Sequence, residues 1–139
     1  MTTIAYNHKD KEIAVDGRVT RGSTICDDNC NKVVKTKQAS FILSGRVSDI
    51  DKVIHAFPDN VELNSAVSGF VILEDAVYWF AGDDTGWGMT EVTYNEAAGS
   101  GSEFALTALD MGATAKQAVK MAAKRDTMTG GKIRVIKLK

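Results

Sequence analysis

Thr2 is the residue in this sequence whose type and position could do the least common chemistry. On removal of Met1 it would carry a hydroxyl and a free α-amine on one residue. A hydroxyl is a weak nucleophile until a base takes its proton, and a terminal amine, titrating at about 7.7 to 8.0, is such a base, acting directly or through one water. A threonine in mid-strand has neither property. Thr2 and Thr3 are also ordinary strand residues, and a small residue behind methionine favours its removal, so on these residues alone Thr2 reads as non-catalytic. A second set, Cys26, Cys30, His8 and His55, is nominally that of a zinc site. The spacing Cys26-x-x-x-Cys30 and the wide separation of the histidines oppose that reading, because closed zinc sites draw ligands from tight paired knuckles. Two ordinary buried or half-buried thiols are expected, with no metal and no cofactor.

The 139 residues fit one domain, 1–139, long enough to bury a substantial core. A hydrophobic share of 44%, a charged share of 25% and a net charge of -1 describe a globular chain with no dedicated nucleic-acid or acidic-lipid partner. Only 7% of residues are aromatic and no basic patch stands out, which excludes a stacking platform for nucleic acid. No apolar run approaches the roughly 20 residues that span a bilayer, and the series of a secretory signal is missing. A cytoplasmic location, no membrane partner and reduced cysteines are therefore expected.

Several elements must hold any site. TTIAYN and EIAVDGRV are β-branched runs around the charged turn His8-Lys9-Asp10-Lys11, a hairpin pattern. KVVK and ASFILS continue the strands. From Ser48 the period changes: Ile50, Val53, Ile54 and Phe57 share a helical face, Ser48 with Asp51 reads as an N-terminal cap, and Pro58 ends the helix. SAVSGFVILE and AVYWFAG form strands joined at Glu74-Asp75, and GMTEVTY alternates like another. After the glycine-rich AAGSGS, a helix is expected with Ser102 as cap, Phe104, Ala105, Ala108 and Leu109 on one face, and Gly112 as stop. Thr114 and Gln117 propose a capping box for a further helix burying Ala115, Ala118, Val119 and Ala122. Gly130-Gly131 breaks the chain, and KIRVIKLK, alternating through Ile133, Val135 and Leu138, returns as a strand. Strands and helices in this order, without regular βαβ alternation, point to antiparallel sheets covered by helices, an α+β class.

Six segments in order, TTIAY, AVDGRVTRG, CNKV, SGRVSD, GSGSEFAL and RDTMTGGKIRV, make the chain resemble the proteasome β-subunit and HslV-like threonine peptidases, N-terminal nucleophile hydrolases. The resemblance runs from end to end. It implies a four-layer αββα sandwich of two antiparallel sheets flanked by helices. It implies Thr2 as nucleophile once Met1 is removed, with Asp16 and Lys32 as a buried pair beside it. It also implies Gly45 as donor of the oxyanion-hole N–H, Ser100 near the terminal amine, and Asp126 with Thr129 completing the proton network. Thr129 stands where the family carries serine and keeps the hydroxyl. Taken without the resemblance, Asp16 is a turn residue before Gly17, Lys32 a solvated strand lysine, Gly45 a strand-to-helix turn and the rest a loop and a helix stop.

The family's first substrate pocket would fall on Val19, Cys30, Leu43 and Val47, implying cleavage after an apolar residue. The implied partners are a peptide or unfolded-protein substrate, further copies in a homo-oligomer that in the family closes as a ring, and an ATPase unfoldase. Between Phe57 and Ser65, where the family carries a longer first helix and a second one, only PDNVELN is available, so the helical layer is expected to be short. Two function classes stay open: a threonine endopeptidase or amidohydrolase, and a non-catalytic binding or structural protein on the same fold that modulates a protease or assembly.

Overall fold

The computed structural model describes residues 2–138, so the expectation about Met1 falls outside the described residues. The first half contains β1 (Thr3–Asn7), β2 (Glu12–Val15), β3 (Val19–Arg21), β4 (Thr24–Asp27), β5 (Val33–Lys35), β6 (Ser40–Ser44) and α1 (Val47–Ala56). The second contains β7 (Val67–Leu73), β8 (Ala76–Asp83), β9 (Gly86–Glu91), β10 (Glu96–Gly99), α2 (Ser102–Asp110), α3 (Ala115–Arg125) and β11 (Arg134–Lys137).

Two antiparallel sheets stack face to face. One runs β10-β1-β2-β11 and the other β5-β6-β7-β8-β9, while β3 and β4 make a separate ribbon. Because strand side chains alternate, each sheet feeds two cores. Ile4, Tyr6, Ile13 and Val15 meet Ile42, Phe70 and Val77 between the sheets. Ala5, Ala14 and Ala97 face the other way, onto Ala105 and Leu109 of α2 and Ala118, Val119 and Ala122 of α3. This second core is built largely of alanine, so backbones rather than long side chains set the spacing between helices and sheet. Phe41, Leu43, Val67, Val71 and Phe80 cover the outer face of the larger sheet under Val53 of α1. The result is the expected αββα sandwich, with a shortened outer layer on the α1 side.

Residues 57–66 form an irregular strap there. Leu63 is buried in the core below, and its N–H donates to the Asp83 carbonyl at 3.0 Å. Phe57 stacks on Trp87 with centroids 5.7 Å apart, and Asn60 Nδ2 donates to the Trp87 carbonyl at 2.9 Å. Asp49, fully buried in the first turn of α1, accepts from Asn64 N–H at 2.9 Å, Ser65 N–H at 3.1 Å and Ser65 Oγ at 2.7 Å. The Asn64 N–H, followed by the Ser65 hydroxyl, holds the Asp49 carboxyl below its ordinary value against the opposing effect of burial. A carboxyl depressed in the folded state adds stability above its unfolded value near 3.9, and that stability is lost as pH falls through the folded value. Asp49→Asn is therefore expected to be less stable than wild type at pH 7, with the difference shrinking towards about pH 3, as urea melts at the two pH values would show.

Helix ends separate sound cap signals from false ones. Thr114 caps α3 as expected: its Oγ1 accepts from Gln117 N–H at 3.1 Å, and Gln117 Oε1 accepts from Thr114 N–H at 2.9 Å. Thr114→Ala is expected to cost about 1 kcal/mol in urea unfolding. By contrast, α1 is capped by Arg46 and α2 by Gly101, neither through a side chain. Ser48 and Ser102 lie inside their helices instead, because the cap position falls before them. Phe104 is 42% exposed rather than inward, since Ala105 and Leu109 define the buried face of α2. Val135, paired with Ala14 on the helical side, projects beyond the cover of α3 and is exposed. Cys26 is exposed on β4, not buried, and Cys30 is half-buried. Among the described residues no helix is long and apolar enough to cross a membrane.

Candidate active site

The amino end of β1 lies in the middle of its sheet, between β10 and β2. That position brings three distant parts of the chain against Thr2 and Thr3. Successive strand residues face opposite sides, so Thr2 turns towards the space between the sheets and Thr3 towards the helices. Thr2 is 7% exposed and Thr3 fully buried.

On the first side, Lys32 Nζ donates to Thr2 Oγ1 at 3.1 Å and to Asp16 Oδ1 at 2.9 Å. Asp16 follows directly after β2 and is fully buried, and the Lys32 side chain is 9% exposed. A buried carboxylate needs its lone pairs occupied. Asp16 meets this with Lys32 and Thr3 N–H on Oδ1, and Gly130 N–H at 3.0 Å and Arg18 N–H at 3.4 Å on Oδ2. Arg18 in turn makes a two-pronged ion pair with Asp28, Nε to Oδ1 at 2.8 Å and Nη2 to Oδ2 at 3.1 Å, and Nη1 donates to the Thr127 carbonyl. Loops 16–18, 28–30 and 127–132 are thereby tied together around the carboxylate.

On the other side, Ser100 N–H donates to the Thr2 carbonyl at 2.8 Å, while Ser100 Oγ donates to Asp126 Oδ2 at 2.6 Å. Thr129 Oγ1 donates to the same oxygen at 2.6 Å, and Met128 N–H donates to Asp126 Oδ1 at 3.1 Å. Burial works to raise the Asp126 carboxyl, but the Ser100 and Thr129 hydroxyls and the Met128 N–H outweigh it and hold it below its ordinary value. Asp126 therefore stays ionised and acts as an acceptor only.

Asp16, Lys32, Ser100, Asp126 and Thr129 thus meet around Thr2, in two sets of hydrogen bonds joined through the Thr2–Thr3 peptide. Gly45 follows β6, whose last residue Ser44 lies near the Thr2 carbonyl across Gly99. It has φ +150, and a Cβ there would stand 2.9 Å from the Ala66 carbonyl oxygen, so the position requires glycine. The four residues expected to line a pocket occupy different surroundings. Val19 on β3 and Cys30 are half-buried, Leu43 is 4% exposed in the core beneath α1, and Val47 is 67% exposed at the start of that helix.

One residue of the network was not expected. Thr3 Oγ1 lies 2.6 Å from Thr129 Oγ1 and accepts from Gly101 N–H at 3.1 Å. The strand period carried the signal: two adjacent threonines at a buried strand end must present hydroxyls to both faces.

The arrangement offers an alcohol beside a buried ammonium, with an ionised carboxylate holding a serine hydroxyl on the carbonyl side of the same residue. Such a set can lower the cost of making an alkoxide at Thr2. No protein-family model matches the chain, and no curated protein matches it. Among solved structures it is similar to Thiobacillus denitrificans BPH in complex with epoxomicin, with a TM-score of 0.71, 16% identity and 100% of both chains covered. It is likewise similar to a second structure of Thiobacillus denitrificans BPH, with a TM-score of 0.69, 16% identity, and 99% of this chain and 98% of that one covered. The chain thus has a proteasome-like fold, a shortened αββα sandwich.

Proposed function

We propose that the protein is an N-terminal threonine peptidase or amidohydrolase, in which Thr2, freed of Met1, is the nucleophile. The observation that carries this reading is the 3.1 Å contact from Lys32 Nζ to Thr2 Oγ1, made by an ammonium that a buried carboxylate holds in place. The epoxomicin complex of a protein with the same fold adds support, since epoxomicin is a proteasome inhibitor.

In the proposed reaction the α-amine of Thr2 takes the hydroxyl proton, directly or through one water, as Oγ1 attacks a substrate carbonyl. The Lys32 ammonium disfavours a second positive charge on the amine and stabilises the forming alkoxide. Asp16 keeps Lys32 oriented. The Gly45 N–H would receive the oxyanion, a role worth roughly 2.7 to 4 kcal/mol where it has been removed in other enzymes. The Ser100 hydroxyl gives its own proton to Asp126, which leaves its oxygen able to accept from the amine and steady it between transfers. The amine then protonates the leaving group, and water releases the acyl-enzyme.

Val19, Cys30, Leu43 and Val47 would favour an apolar residue before the cut. A peptide or unfolded protein is the proposed substrate, with a homo-oligomer and an ATPase unfoldase as proposed partners. The short outer layer at residues 57–66 favours a second reading, a non-catalytic subunit on this fold. Incubation of protein with verified free Thr2 with epoxomicin, followed by intact mass and peptide mapping, separates the two. An adduct on Thr2, absent from Thr2→Ala, supports the enzyme; no adduct together with no cleavage of any peptide leaves the second reading.

A further inference from the structure

We propose that Thr3 is the positioning residue for Thr2, an inference that rests on Thr2 being the nucleophile. The hydrogen bonds form two closed rings that share the Thr2–Thr3 peptide unit. The first passes from Thr2 Oγ1 to Lys32, to Asp16, and back through Thr3 N–H, which donates to Asp16 Oδ1 at 3.1 Å. The second passes from the Thr2 carbonyl to Ser100, Asp126 and Thr129, and returns through the Thr3 hydroxyl.

The direction of every proton in the second ring follows by elimination. Asp126 is an ionised acceptor, so Ser100 and Thr129 each spend their proton on it. Thr129 then has only lone pairs to offer Thr3, so the Thr3 hydroxyl is the donor in their 2.6 Å contact. Its own lone pair is taken by Gly101 N–H. Gly101 is the N-cap of α2, and a Cβ there would collide with Thr3 Oγ1, so the hydroxyl is seated between a helix end and Thr129.

Two anchors on one residue fix what a single ring would leave free. The Thr3 backbone sets the distance of Thr2 from Lys32, and the Thr3 hydroxyl sets its rotation relative to Ser100. Loss of the hydroxyl opens the second ring while leaving Lys32, Asp16 and the substrate surface in place. Its effect falls on the alignment of Thr2, and misplacement of a reacting group by about 1 Å can cost on the order of 100-fold in rate.

The test compares wild type, Thr3→Val and Thr3→Ser, each with verified free Thr2 and checked for folding by near-ultraviolet circular dichroism. The readouts are the rate of epoxomicin labelling of Thr2 and, on a cleaved peptide, kcat and KM separately. Thr3→Val, which keeps the shape and loses the hydroxyl, is expected to lower kcat and the labelling rate by about 10- to 100-fold with KM nearly unchanged. Thr3→Ser is expected to stay within about threefold of wild type, the rescue that a hydroxyl role demands. Should Thr3→Val fail to fold, Thr3→Cys, with a weaker donor in a similar volume, is expected to fall between the two. Labelling of folded Thr3→Val, or of Thr3→Cys in its place, at the wild-type rate overturns the role of Thr3 alone. Wild type that takes up no epoxomicin and cleaves nothing overturns this role and the proposed function together.

Discussion

Lys32→Met is expected to lower kcat/KM roughly 10²- to 10⁴-fold and, separately, to destabilise the fold by about 3–5 kcal/mol. Both effects come from one atom. Lys32 Nζ sits between Thr2 Oγ1 and Asp16 Oδ1, and the two charged side chains are 9% and 0% exposed. Methionine fills the stem of the lysine but leaves a buried carboxylate with backbone donors and without its direct ion-pair partner. That accounts for the stability loss, measurable by urea unfolding at pH 7. The rate loss is distinct, because it reflects an alkoxide formed without a neighbouring ammonium and appears in turnover by the folded fraction. Lys32→Arg is expected to restore much of the stability and little of the rate, since the larger, rigid guanidinium fork does not reproduce the position of a compact ammonium between the two oxygens. Unchanged turnover in folded Lys32→Met would make the pair purely structural.

Gly99→Ala is expected to destabilise by roughly 2–6 kcal/mol, combining backbone strain with overpacking, and to abolish labelling of Thr2. Gly99 is the partner of Thr3 across the β1–β10 ladder and has φ +96. A Cβ built there collides with the Thr2 carbonyl and comes within 3.3 Å of Ser44 Oγ. The neighbour it strikes is backbone, which cannot rotate aside, so β1 or β10 must move. Movement of either breaks the 2.8 Å bond from Ser100 N–H to the Thr2 carbonyl. Gly88→Ala serves as the contrast: a Cβ there meets nothing within 4 Å, and its cost should stay within about 0.5 kcal/mol. Equal effects at the two glycines in urea unfolding would contradict this account of the site's packing.

Much of the fold is legible in the sequence because hydrophobic period and turn chemistry agree. The strands on either side of Glu74-Asp75 are one example. Both turn residues take positive φ, 49° and 68°, as a tight hairpin between right-twisted strands requires. The α3 helix is another, where Thr114, Gln117 and the alanine face all point the same way. Elements whose local signal is weak were missed. The β10 strand, Glu96–Gly99, reads as a loop because alanine and glycine have little strand preference; pairing with β1 holds it extended. The exposed β4 strand lacks alternation since neither face is buried. At Ser48 and Ser102 a serine near a helix start is not sufficient for a cap, because the preceding strand fixes where the helix begins.

The candidate site divides in the same way. Asp16 and Lys32 carry no local mark of pairing, and only the ordered resemblance of six segments links them; the 2.9 Å contact is a product of the sheet register. Thr3 carries no local mark of its role either, since a buried strand threonine looks the same in sequence whether or not its hydroxyl meets a distant loop. Asp49 escaped because its ligands, the amides of Asn64 and Ser65, belong to a strap that no periodicity describes.

The proposed function stands or falls with Thr2 as a reactive N-terminal nucleophile. The most direct measurement is intact mass and N-terminal sequencing of the native protein before and after epoxomicin, with Thr2→Ala alongside. The native chain is expected to begin at Thr2 and to gain one equivalent of epoxomicin mapped to that residue, while Thr2→Ala gains none. A native chain that retains Met1, or one that begins at Thr2 and takes up no epoxomicin, would contradict it.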